Sequence, residues 1–125
     1  MPEANRNTKQ KAAIHAAFEM EDRPLTPEEV QVLAQKEGAS VSLATIYRNI
    51  NSLLEEGWLQ SVGLPGMPSR YEIAGKAHHH HFYCDACGKL FELKGCGMPK
   101  ISRLPEGFRA VSHEVIVHGL CDTCG

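Results

Sequence analysis

Two Cys-x-x-Cys pairs constrain this chain more than any other feature in it. Cys84 and Cys87 form the first pair, Cys121 and Cys124 the second. Thiolates spaced in this way present both sulfurs to one ion, and two such pairs complete a tetrahedral four-thiolate zinc site. The two segments that carry them must therefore meet in space, whatever the rest of the fold does. Directly before the first pair runs His78-His79-His80-His81. A structural zinc takes four ligands and the cysteines supply all of them, which leaves the imidazoles unassigned. One such histidine is ordinarily a solvated or hydrogen-bonded surface residue. Four together, with Glu72 and Glu92 in the same half of the chain, point to at least one exchangeable metal site. If the run is extended, His79 and His81 face one side and His78 and His80 the other, so one short strand can serve two sites.

A chain of 125 residues makes one compact domain or two very small ones. Domains of about 60 residues have thin cores, and a metal staple is a usual remedy. Five cysteines would suit a secreted disulfide scaffold if their spacing were ignored. The start, Met1-Pro2-Glu3-Ala4-Asn5-Arg6, does not read as a secretion signal, and no apolar run is long enough for a membrane. The expectation is a cytoplasmic protein with metal-bound thiolates. A formal net charge of -2 argues mildly against a nucleic-acid partner. The distribution argues the other way: Arg6, Lys9 and Lys11 cluster near the start, and residues 38–54 hold Arg48 but no acid.

In chain order, residues 1–7 are polar and expected to fray. A helix is expected from Thr8, with Ile14, Ala17 and Phe18 on its buried face, ending before Pro24. Thr26-Pro27-Glu28-Glu29 reads as a second helix start with a capping box, and Val30, Leu33 and Ala34 form its stripe up to Gly38. Ser42 caps a third helix, whose Ile46, Ile50, Leu53 and Leu54 face inward and whose end falls at Gly57. Its outward side offers Thr45, Tyr47, Arg48, Asn49 and Ser52, groups suited to phosphates and base edges. Strands are expected over 58–62 and 70–73. In the second half they are expected over 89–93, 108–111 and 114–118, with Cys96 in a turn and a short helix within 98–107. The fold class expected is α+β. A winged helix-turn-helix domain spans residues 1–74, a hinge 75–77, and a small zinc-stapled α/β dimerisation domain 78–125. Exposed strand edges in the latter are suited to pairing with a second copy.

These segments together resemble the ferric uptake regulator family, metal-responsive bacterial transcription repressors that act as homodimers. The resemblance lies in Ser42-Leu43-Ala44-Thr45-Ile46-Tyr47-Arg48 ahead of Leu53 and Gly57, in Arg70-Tyr71-Glu72, in the histidine run and in both cysteine pairs. The stretch from Ser112-His113-Glu114 to His118-Gly119-Leu120-Cys121 is most similar to the zinc-sensing branch. The resemblance implies that Tyr47 and Arg48 lie on a DNA-recognition helix, with Thr45 and Asn49 on the same face and Lys9 and Lys11 available to phosphates. It implies structural zinc on Cys84, Cys87, Cys121 and Cys124. Glu72, His81 and Glu92 match ligands of a sensory metal between the domains, and His79 shares the side of His81. His78, His80 and His113 match a further site. The regulatory metal is expected to be Zn2+, with Fe2+ or Mn2+ as alternatives. The partners implied are a double-stranded operator and a second copy, with no membrane and no organic small-molecule substrate.

The chain also departs from the family pattern. Where relatives commonly contribute an imidazole before the second helix, it has Arg23-Pro24-Leu25. Where zinc sensors often place a cysteine, it has Glu72-Ile73-Ala74. The segment between Leu93 and His113 is short, so a carboxylate expected there is in question, and Cys96 and His118 are candidates to fill such gaps. An enzyme is not expected: there is no His-Glu-x-x-His helix and no Gly-rich phosphate loop. The alternative reading is a zinc-stapled protein-interaction or metal-storage module without specific DNA binding.

Overall fold

The computed structural model describes residues 2–95 and 104–125, which form two compact units, Met1–Lys76 and Ala77–Gly125. In the first unit, α1 (Pro2–Glu21), α2 (Pro27–Lys36) and α3 (Leu43–Glu55) precede a hairpin of β1 (Leu59–Val62) and β2 (Arg70–Ile73). α1 starts well before Thr8, with Pro2 in its first turn, where a missing N–H costs nothing. It stops at Asp22, whose φ of 48° lies in the left-handed region. Thr26 caps α2 in the expected box. Its Oγ1 accepts the Glu29 N–H at 3.2 Å, and Glu29 Oε1 accepts the Thr26 N–H at 2.9 Å.

Ser42 caps α3 by accepting the Thr45 N–H. Gly57, at φ 79°, takes the conformation that lets the chain leave α3 and enter β1. Most of the expected inward residues are buried: Ile14, Ala17 and Phe18 from α1, Val30 and Ala34 from α2, Ile46, Ile50 and Leu53 from α3, with Leu33 and Leu54 half-buried against them. Leu25 and Tyr71 exchange backbone hydrogen bonds at 2.8 and 2.9 Å, which ties the segment before α2 to the hairpin. Three helices and a hairpin so connected form a winged helix-turn-helix unit.

The second unit is a three-stranded sheet in the order β4-β3-β5, built from β3 (His79–Cys84), β4 (Leu90–Lys94) and β5 (Ile116–Gly119). β3 pairs antiparallel with β4 and parallel with β5, in the registers His81↔Glu92 and His81↔Ile116. Gly119 is needed where it stands: a Cβ there would lie 3.0 Å from the Phe82 ring. The strand expected over 108–111 is absent. That segment pairs with no edge of the sheet, and Phe108 and Val111 lie exposed in irregular chain leading to β5, which starts at Ile116 rather than Glu114. Cys96 and most of the helix expected within 98–107 fall outside the described residues, and 104–107 holds only a turn.

Candidate metal centre and nucleic-acid interface

The parallel pairing of β3 with β5 brings the two cysteine pairs together. Cys84 closes β3, and the chain after β5 turns at once through Cys121 and Cys124. The four sulfurs lie within 4.8 Å of one another. Cys87 Sγ and Cys121 Sγ are 3.9 Å apart. A tetrahedron built on metal–sulfur bonds of about 2.3 Å has edges of about 3.8 Å, so the donors fit zinc in type, number and spacing. The backbone N–H groups of Cys87 and Cys121 donate to Cys84 Sγ at 3.5 and 3.4 Å. They draw the Cys84 thiol down to about 6, against the opposing effect of burial. Hydrogen bonding with Cys121 and then Cys84, with burial added, pushes Cys124 up to about 12. The cluster therefore favours one negative sulfur and keeps another neutral in the absence of a cation.

The histidine run alternates as a strand must. His79 and His81 stand on one side with ring centroids 5.0 Å apart, and His78 and His80 on the other at 4.5 Å. Register places Glu92 opposite His81. His79 Nδ1 lies 2.9 Å from the Ala77 carbonyl, so it donates there, and its Nε2 faces Glu92 Oε1 at 3.7 Å. Two lone-pair atoms held beyond hydrogen-bond distance but near each other suit ligands converging on a cation.

On the opposite side, His78 Nε2 lies 3.1 Å from His80 Nε2 and 3.2 Å from His113 Nε2. Three imidazole nitrogens at tetrahedral edge length also suit a metal in donor type. However, His80 Nδ1 accepts the Val115 N–H at 3.2 Å, which assigns the proton of its neutral ring to Nε2. As arranged, His78 and His113 can present lone pairs while His80 presents a hydrogen. Burial, then the neighbouring His78 and His113, lowers the pKa of His80 and keeps that ring neutral. The same bond anchors Val115 beside β3, just ahead of β5.

His118 does not join either group. It sits on the exposed edge of β5, 3.4 Å from Asp85 Oδ1 and against the Tyr83 ring. Glu72 belongs to β2 of the first unit, where it is buried and its Oε1 accepts from Gln60 Nε2 at 2.9 Å. Arg23, in the position where an imidazole is common in the family, is committed elsewhere. Its buried guanidinium donates to Glu21, Glu29 and the Pro24 carbonyl at 3.1–3.2 Å. Sequence reasoning had no signal for the Gln60 and Val115 contacts, since both depend on strand register.

On α3, Tyr47 and Arg48 are exposed, and Thr45 and Asn49 are half-buried beside them. Lys9 and Lys11 are exposed on α1. A polar cleft of about 630 Å³ flanks the start of α3, lined in part by Gln10, Gln31, Ser40, Ser42 and Thr45. Among the described residues, no helix is long and apolar enough to cross a membrane.

Known proteins share both the sequence and this fold. The ferric uptake regulation protein of Campylobacter jejuni is 29% identical over 122 residues, covering 94% of this chain and 78% of that protein. The ferric uptake regulator of Helicobacter pylori, described as having three functional metal-binding sites, superposes with a TM-score of 0.62. It is 25% identical, over 93% of this chain and 79% of that one. FurB of M. tuberculosis, a zinc uptake regulator, gives a TM-score of 0.53 at 28% identity, with 96% and 95% covered. The profile of the Ferric uptake regulator family matches residues 3–118, and the chain belongs to that family.

Proposed function

We propose that this protein is a metal-dependent DNA-binding transcriptional repressor that works as a homodimer in the cytoplasm. The observation that carries the reading is a division of labour within one chain of this family. The first unit offers an acid-free recognition face on α3, and the second gathers three types of metal donor. In this reading α3 enters the major groove, with Tyr47 and Arg48 foremost, Thr45 and Asn49 beside them, and Lys9 and Lys11 toward the phosphates. Cys84, Cys87, Cys121 and Cys124 hold structural zinc, which ties the end of β3 to the end of β5. The exposed outer edge of β5, with Val117 and Leu120 uncovered, supports pairing with a second copy.

Glu72, His79, His81 and Glu92 are the ligands proposed for the exchangeable metal. A divalent cation, when bound, supplies positive charge and directional bonds that these neutral and anionic donors can share. Glu72 stands on the first unit and the other three on the second, so a ligand shell common to all four restricts how the units are oriented. The restriction regulates DNA binding only to the extent that the donors favour the operator-competent arrangement over others. Arg23 cannot serve as a donor in this shell, since a guanidinium has no lone pair to give. Zinc is the favoured regulatory metal, and Fe2+ and Mn2+ are the competitors. The three functional sites of the Helicobacter pylori regulator support a third, weaker site at His78, His80 and His113. The tautomer of His80 makes it the least prepared of the three.

The test is titration of zinc-replete protein with Zn2+, Mn2+ and Fe2+ under anaerobic conditions, beside fluorescence-anisotropy binding to operator and scrambled duplexes at stated salt. Metal-dependent preference for the operator is expected, lost in His81→Ala and in Glu72→Ala while zinc content and dimer mass persist. If both variants keep the wild-type metal affinity and DNA response, the exchangeable-site assignment is wrong. Metal binding with no preference among duplexes would instead indicate a storage or interaction module.

A further inference from the structure

The first two turns of α3 carry a line of hydrogen bonds that ends at Arg48. Ser42 Oγ lies 3.0 Å from Thr45 Oγ1, and Arg48 Nη2 donates to that same oxygen at 3.0 Å. Ser42 Oγ in turn accepts the Thr45 N–H at 3.2 Å, the bond that caps the helix. The Thr45 carbonyl accepts from Asn49 Nδ2 at 2.9 Å. Residues three apart share a side of a helix, so the Ser-x-x-Thr-x-x-Arg spacing sets up this line directly. A guanidinium has donors only, so Thr45 Oγ1 must accept from Arg48. The Ser42 hydroxyl, whose oxygen is engaged by the Thr45 N–H, has its hydrogen free to donate to the second lone pair of Thr45. With both lone pairs used, Thr45 has no acceptor left and keeps only its own O–H hydrogen to donate. Arg48 is exposed and long, the kind of side chain whose ordering opposes binding unless it is ordered beforehand.

We infer that Thr45 is a positioning residue. Its hydroxyl oxygen, itself held by the helix cap at Ser42, fixes the Arg48 guanidinium in the orientation that meets the duplex. The inference rests on reading α3 as the recognition helix. It also changes what the cap is for: Ser42 both starts the helix and sets the aim of a side chain two turns on.

The experiment uses the full chain, loaded with zinc and the exchangeable metal, and measures anisotropy on an operator duplex and on variants of each base pair. Thr45→Val keeps size and β-branching but removes the acceptor, whereas Thr45→Ser keeps the acceptor. Thr45→Val is expected to bind about two- to tenfold more weakly, the cost of ordering one long side chain on binding, and to relax base preference where Arg48 contacts the site. Thr45→Ser should restore wild-type affinity. In an Arg48→Ala background, Thr45→Val should have no further effect, because the group it positions is gone. A purely helix-stabilising role would move the melting temperature of the helical unit, which should stay unchanged. Wild-type or tighter binding by Thr45→Val overturns the inference. So does an equal loss in the Arg48→Ala background, which would mean that Thr45 contacts DNA on its own. A wild-type protein that prefers no duplex overturns the recognition-helix reading and this inference with it, an outcome the variants alone cannot produce.

Discussion

In the helical unit a continuous apolar core runs from Ile14 and Phe18 through Val30 and Ile46 to Leu59, all buried. Among the described residues of the second unit, burial is confined to His80, Cys84 and Leu90. One of these is an aliphatic residue, one a member of the thiolate cluster and one a member of the histidine cluster. The first unit can thus be held by removal of apolar surface from water, at about 25 cal/mol per Å². The second, taken as a single chain, has little such surface to remove, so its stability must draw on bonds that side chains make to metal and on the second copy proposed to cover β5. The comparison teaches that the two halves of a regulator can be stable for different reasons, and so respond to different insults. The helical half is expected to stay folded under a chelator, and the half that carries the cysteines is not.

Stripping zinc is the sharpest way to break that comparison. Removal with a strong chelator, or Cys121→Ser, should unfold the second unit and leave the helical unit with its own cooperative melt. Structural zinc supplies about 10–16 kcal/mol of apparent binding energy in small domains, more than so thin a core can replace. Circular dichroism across a thermal scan would check it. A single transition lost entirely, or a second unit still folded without zinc, would contradict the division. The converse test is Phe18→Ala, which empties a fully buried site on α1. It should destabilise the helical unit by about 3–5 kcal/mol while the zinc stoichiometry stays unchanged. Loss of zinc in that variant would show the units to be energetically coupled. The smallest expected effect is at Thr26→Ala, which removes one half of the α2 capping box. About 1 kcal/mol should be lost from the first transition alone, read as a modest fall in its midpoint.

The first unit was legible in the sequence because its signals are local. Thr26, Glu29, Ser42 and Gly57 mark helix ends by chemistry within four residues, and the inward positions of α3 follow the helical period. The second unit was legible at the cysteine pairs and the histidine run, where side chains name a ligand, and in the strands expected over 89–93 and 114–118, which match β4 and most of β5. A strand over 108–111 was expected from Phe108 and Val111, but apolar residues do not make a strand where the segment pairs with no edge of the sheet and both side chains stay exposed. The parallel placement of β5 beside β3 left no local mark, since register between distant segments is decided by closure of the whole unit. Hence the His80–Val115 bond, which fixes the proton position of His80, could not be read from the spacing. Arg23 is similar: its sequence position marks a missing imidazole, but only the structure joins it to Glu21 and Glu29.

The parallel β3–β5 pairing has a kinetic side. Most pairings in the first unit, the Leu25–Tyr71 bridge excepted, link elements adjacent in the chain, and such contacts form early because little loop entropy opposes them. β5 must instead find β3 across the whole of β4 and the segment that follows, before a single parallel hydrogen bond repays the search. The thiol pair at the end of β3 therefore has no partner until that closure is made. In that interval Cys84 and Cys87 should offer an incomplete two-thiol site beside four histidines. The identity and abundance of the metal present while the chain folds then matter to which ion is captured, separately from which ion the finished protein would choose.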